Sequence, residues 1–147
     1  MTKQQITDLL TLARKAKDTL SISVYGDILS RIGNQEIALK KLDLSEDEIV
    51  SVIKKAAAER EESMLAFQKA GRTESMNKEL DEWTILNKHI PKMFTKEETE
   101  ELIDAAIIEL GTTSKKQMGA IIGLLKKLHG NKLDMKLISN ILAAKLT

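Results

Sequence analysis

A chain of 147 residues with 42% apolar and 31% charged side chains fits one or two soluble globular domains. It has no apolar run near the ~20 residues that a membrane span needs, and no cysteine for an extracellular disulfide framework; Met1-Thr2-Lys3-Gln4-Gln5 lacks the apolar core of a signal peptide, so a cytoplasmic location is expected. Four aromatics (Tyr25, Phe67, Trp83, Phe94), one proline and seven glycines disfavour β-sandwiches and barrels, and the net charge of +1 suggests no polyanionic partner until its distribution is considered.

Taken in chain order, Ile6, Leu9, Leu10 and Ala13 predict a first helix that breaks near Lys17-Asp18. A longer second helix runs from Ile22 to Leu39, with Gly26 and Gly33 inside it. Three matches to the Ser/Thr-x-x-Glu/Gln capping box then mark helix starts. Ser45 with Glu48 opens a helix carrying Ile49, Val52, Ile53, Ala56, Ala57 and Met64 towards Phe67, and Gly71 follows Ala70 as a left-handed stop. Thr73 restarts the chain, with Met76, Leu80, Trp83 and Asn87 along one stripe and Ile85, Leu86 and Ile90 widening it. Ile90-Pro91 ends this helix, because proline disfavours a helical residue before it. Thr95 with Glu98 opens a helix bearing Leu102, Ile103, Ala106, Ile107 and Leu110 before Gly111, and Ser114 with Gln117 opens one bearing Met118, Ile121, Ile122 and Leu125 that ends near His129-Gly130. Asp134 caps the last, whose stripe is Leu137, Ile138, Ile141 and Leu142. The expectation is an all-α protein of about seven helices: an N-terminal four-helix subdomain over residues 1–91 and a C-terminal three-helix subdomain over 92–147, hinged at residues 91–95.

Charge divides along the same boundary. Residues 1–91 are nearly balanced, residues 92–111 carry six carboxylates against two lysines, and residues 112–147 carry seven lysines against the single Asp134. The last quarter of the chain is a cation.

Few residues suggest catalysis. With no cysteine and only His89 and His129, neither a zinc site nor a Cys/His nucleophile is expected, and no Glu-x-x-His pair offers a di-iron site. No glycine-rich loop resembles a phosphate cradle. No catalytic residue, metal, cofactor or membrane contact is therefore expected. Glu79 and Glu82, at i and i+3, read as a solvated face, Gly119 and Gly123 as a site of close helix packing, and Trp83 as core. The basic tail is different, because Lys126, Lys127, Lys132 and Lys136 surround one inter-helix turn towards which the last helix aims its N-terminal N–H groups, an arrangement that attracts phosphate. Lysines spread over helix surfaces also serve solubility, so charge alone leaves both readings open.

Between residues 55 and 91, Glu59-Arg60, Ser63, Phe67, Ala70-Gly71-Arg72, Glu79, Glu82, Leu86 and Ile90-Pro91 form an ordered string. It resembles the GatB/YqeY family, in which an arginine-bearing helix ends in an FxxAGR turn and the next helix ends in LP. The resemblance continues through Glu97-Glu98, Gly111, Lys115, Met118-Gly119 and the turn from Gly130 to Asp134, which stands where the family has a basic GRAD turn. It implies a four-helix piece followed by a three-helix piece. It also implies a role, since the same module forms the tail of the B subunit of the glutamine-dependent tRNA amidotransferase, where the tail contacts tRNA and ammonia chemistry sits in other domains. The family label is accordingly that of a carbon–nitrogen ligase with glutamine as amido-N-donor, although these residues include none of the catalytic machinery.

The resemblance thus implies a tRNA-binding or translation-linked accessory without catalysis of its own, with tRNA or a tRNA–enzyme complex as partner. The alternative is a protein–protein adaptor that holds its partner on the acidic helix or in a groove between the subdomains. Carried over residue by residue, Lys115, Lys116, Lys126, Lys127, Lys132 and Lys136 are the implied phosphate contacts. Arg60, Gly71, Arg72, Pro91, Gly119 and Gly130 are the family motif positions. A structural ion pair is expected of Arg60, and contact with helix-terminal carbonyls of Arg72.

Overall fold

A computed structural model describes the backbone of residues 1–147 and every side chain except that of Asn131. Among the described residues there are seven α-helices and no strand, and no helix is long and apolar enough to cross a membrane. The chain divides into two compact units, Met1–Ile90 and Pro91–Thr147.

The first unit contains α1 (Lys3–Lys15), α2 (Thr19–Leu39), α3 (Glu46–Lys69) and α4 (Thr73–Asn87). Helix α1 starts at a capping box that the sequence reading overlooked: Thr2 Oγ1 accepts the Gln5 N–H at 3.2 Å, and Gln5 Oε1 accepts the Thr2 N–H at 2.7 Å. Lys17, with φ of 56°, turns the chain, and Asp18 caps α2 by accepting the Ser21 N–H. The expected box at Ser45 opens α3, with reciprocal bonds of 3.1 and 3.0 Å between Ser45 and Glu48. Lys41, 2.8 Å from the same carboxylate, joins the Ser45 donors in holding Glu48 down to about 2.

Residues one turn apart on α2, Val24, Ile28 and Ile32, meet Ile49, Ile53, Ala56 and Ala57 of α3, with Ile6, Leu44 and Leu86 closing the core. The packing face of α4 keeps Trp83, Ile85 and Leu86 of the expected stripe but departs from it at the Met76–Leu80 end. Glu82 and Leu86 are its buried residues, Trp83 packs on the core margin, and Met76 and Leu80 turn away, leaving Leu80 42% exposed.

The second unit contains α5 (Lys96–Leu110), α6 (Met118–His129) and α7 (Met135–Lys145). Thr95 and Glu98 form the expected box at α5. Thr99 is fully buried, and its hydroxyl donates to the Thr95 carbonyl at 2.6 Å, which removes the cost of an unpaired polar group. Ser114 does not cap α6 directly. It accepts the Lys116 N–H and starts a single 3₁₀ turn, Lys115–Gln117, and α6 follows at Met118 without a side-chain cap. Ile103 and Ala106 pack with Ile121, Leu125, Leu133, Ile138, Ile141, Leu142 and Leu146 in one core. Three backbone bonds complete the unit at its ends: Phe94 N–H donates to Lys132 at 3.0 Å, Thr147 N–H to Thr113 at 2.8 Å, and Lys115 N–H to Thr147 at 3.1 Å.

Candidate nucleic-acid interface

The lysines of the second unit are placed by α6. Lys126 and Lys127 lie in its last turn, Lys132 ends the 3₁₀ turn Gly130–Lys132, and Lys136 is in the first turn of α7. These four are brought to one end of the unit. Lys115 and Lys116 sit before the start of α6, so ten residues, or roughly 15 Å of helix, separate Lys116 from Lys126. All six lysines are exposed, and none takes part in an ion pair among the described residues. Lys145, the remaining cation of the tail, is held by Asp104 at 2.6 Å.

Asp134 caps α7 as expected, and two other expectations about α6 and α7 are corrected. Asp134 Oδ1 accepts the N–H groups of Lys136 and Leu137 at 3.1 and 3.2 Å. The start of α7 thus already carries a carboxylate, and any phosphate would be met there by lysine side chains and not by a bare helix terminus. Gly119 and Gly123 are exposed, and a Cβ at either would meet no atom within 4 Å, so they do not serve close packing of helices within the chain.

The sequence reading missed Lys92. The bond from Phe94 N–H to the Lys132 carbonyl draws residues 92–94 to the same end as the four lysines, and Lys92 is exposed. Only this long-range pairing reveals it, and no local spacing signals it. Phe94 is half-buried, with its ring edge-on to His129 at a centroid distance of 5.2 Å.

In the first unit the motif residues serve the fold. Arg60 of α3 lies 3.1 Å from Glu82 and 3.4 Å from Glu79 on α4, and 3.8 Å from Asp27 on α2. Its Nε is buried and lies beside Glu82 without hydrogen-bond alignment, so that pair acts through charge. Arg31 joins the network through Asp27 at 2.8 Å and through Glu59, whose carboxyl it holds below the usual range. The solvated-face reading of Glu79 and Glu82 is therefore wrong: Glu82 is only 7% exposed, and both acids face Arg60. The FxxAGR turn has a backbone explanation. Arg72 N–H donates to Phe67 at 2.9 Å and Gly71 N–H to Gln68 at 3.1 Å, while Gly71 takes φ of 69°. This is the two-bond helix ending that demands a left-handed residue. The Arg72 side chain is exposed. Pro91 begins the second unit, and Gly130 follows the last residue of α6.

Trp83 donates its indole N–H to Glu61 at 2.9 Å, and Tyr25 bonds to His89. Both rings are partly buried against the core of the first unit. Among the described residues, no group of three His, Asp or Glu side chains is arranged to hold a metal ion.

The family model of YqeY-like proteins matches residues 3–146, almost the entire fold just described. The chain belongs to the YqeY-like family. It is also similar to "Altered inheritance of mitochondria protein 41, mitochondrial" of Kluyveromyces lactis, with 31% identity over 135 residues, which is 92% of this chain and 70% of that protein. Within this YqeY-like chain the family motif therefore divides in two: Arg60 and Gly71 organise the first unit, and Lys132, in the turn after α6, is exposed to solvent.

Proposed function

We propose that this chain is a tRNA-binding, translation-linked accessory with no catalysis of its own, and that it holds RNA through Lys126, Lys127, Lys132 and Lys136, with Lys115 and Lys116 as a second contact. One observation carries the reading: six exposed lysines on one small unit lack carboxylate partners among the described residues. Lysines kept out of ion pairs retain their full attraction for phosphate. The resemblance to the amidotransferase tail supplies the choice of RNA, and the internal use of Tyr25 and Trp83 argues for binding by backbone and shape instead of base stacking. Such a role places the chain where charged tRNA is present; the relative's name points to mitochondria for that protein.

Titration of labelled tRNA at several salt concentrations tests this reading. Affinity should fall steeply with salt, and absence of binding by the folded protein at low salt would remove it.

A protein partner is the second reading, favoured by the outer face of α5. Glu97, Glu101 and Asp104 recur there at helical spacing and lead to Ile108, which is 80% exposed. Capture from a lysate before and after nuclease treatment separates the two, since an adaptor keeps its partner once RNA is destroyed.

A further inference from the structure

Within the first unit, α3 and α4 leave an apolar groove of about 390 Å³, lined by Glu61, Met64, Leu65, Gln68, Met76 and Leu80. Leu65 is 57% exposed and Leu80 42%, so this surface is neither core nor an ordinary solvated helix face. The two methionines are adaptable side chains suited to a packed partner. RNA is a poor occupant, because the walls are apolar and Glu61 and Glu62 stand beside them.

The charge pattern along α3 selects an occupant. Glu62 and Lys69 are seven residues apart, two helical turns, and so lie on one edge of the helix with Leu65 and Ala66 between them. Both are exposed, and neither is in an ion pair among the described residues. A helix running antiparallel across the groove, centred between Leu65 and Ala66, meets this edge with charges in the reverse order. The same helix from a second copy does this by symmetry: Glu62 of each copy falls opposite Lys69 of the other, and the two Leu65 side chains meet near the axis.

We propose that this groove is closed by the same groove of a second copy of the chain, with the two α3 helices antiparallel. The patch is about two helical turns long, small against the roughly 800 Å² per partner of a standard stable interface. The dimer therefore forms in a concentration-dependent way.

Sedimentation equilibrium of the full chain from micromolar concentrations to about 1 mM tests the proposal. The wild type should pass from monomer towards dimer. Leu65→Asp should remain monomeric, with unchanged circular dichroism because Leu65 supports no core. Lys69→Glu places like charges opposite one another at both ends and should weaken association about tenfold, whereas the double variant Glu62→Lys/Lys69→Glu restores both pairs and should return it to the wild-type value. A wild type that stays monomeric throughout overturns the proposal, as does association unaffected by Leu65→Asp or a double reversal that fails to restore it.

Discussion

The Tyr25 hydroxyl on α2 lies 2.9 Å from His89 Nε2, just beyond the end of α4 and one residue short of the unit boundary. Burial lowers the pKa of His89 from its ordinary value near 6.5, and the Lys88 ammonium and the Met1 amine push it the same way. The fold thus prefers the neutral imidazole. Stability from this site is full above the unfolded value of about 6.5 and is lost as pH falls through the lower folded value. Urea titrations between about pH 7.5 and 5 should show the first unit weakening on acidification. His89→Gln, which keeps a partner for Tyr25 without a titrating ring, should flatten that dependence, and an unchanged slope would assign it to other groups.

The Arg60 network makes a second prediction. Arg60→Met removes the cation shared by Glu79 and Glu82 and leaves Glu82 buried without its charge partner. Loss of one member of a buried pair costs about 3–5 kcal/mol, and the partial exposure of Arg60 reduces this to about 2 kcal/mol. Adding Glu82→Gln should recover part of the loss, because a neutral amide costs less to bury than an unpaired carboxylate. Thermal melts of the two variants measure this directly. Affinity of the folded protein for tRNA should be unaffected by either change.

The same network shows where sequence reading reaches its limit. Helix starts at Ser45 and Thr95 are local events, with donor and acceptor three residues apart, so a spacing rule finds them. The Gly71 and Gly111 stops are equally local. The face that α4 buries is decided by α3: Glu82 turns inward because Arg60, 22 positions earlier, receives it there, and the more apolar Leu80 is left exposed. Periodicity weighs hydrophobicity alone, so it finds Trp83, Ile85 and Leu86 on the packed face but misses Glu82 and wrongly adds Leu80. Lys92 was missed for a similar reason, since only the bond from Phe94 to Lys132 brings it to the basic end. At Ser114 the residue types of a capping box were present, but the chain formed a 3₁₀ turn first.

Glycine substitutions should have opposite effects at two sites. Gly71 has φ of 69°, and its N–H belongs to the ending of α3, so Gly71→Ala should destabilise the first unit by about 1 kcal/mol. Gly119 is the second residue of α6, with nothing within 4 Å of its absent Cβ, so Gly119→Ala should stabilise the second unit by up to about 0.5 kcal/mol through helix propensity, less than at an interior position. Denaturant midpoints distinguish the two signs. Destabilisation by Gly119→Ala would mean that the exposed face of α6 has a contact within the chain.

The division of the lysines predicts how RNA affinity should respond to salt. Each phosphate contact removed should reduce the slope of log affinity against log salt by about 0.7–0.9. Lys127→Gln and Lys132→Gln alter one end of the second unit, and Lys116→Gln alters the region before α6, roughly 15 Å away by helix geometry. Effects from the two regions should add, because sites that far apart share no side-chain partner. Asp134→Asn should strengthen binding modestly by removing the one carboxylate of residues 112–147 while keeping an amide oxygen to cap α7. Salt titrations of these variants with labelled tRNA decide whether both regions or one of them hold the RNA. Equal slopes for the wild type and a variant with all six lysines replaced by glutamine would show that these lysines make no phosphate contact.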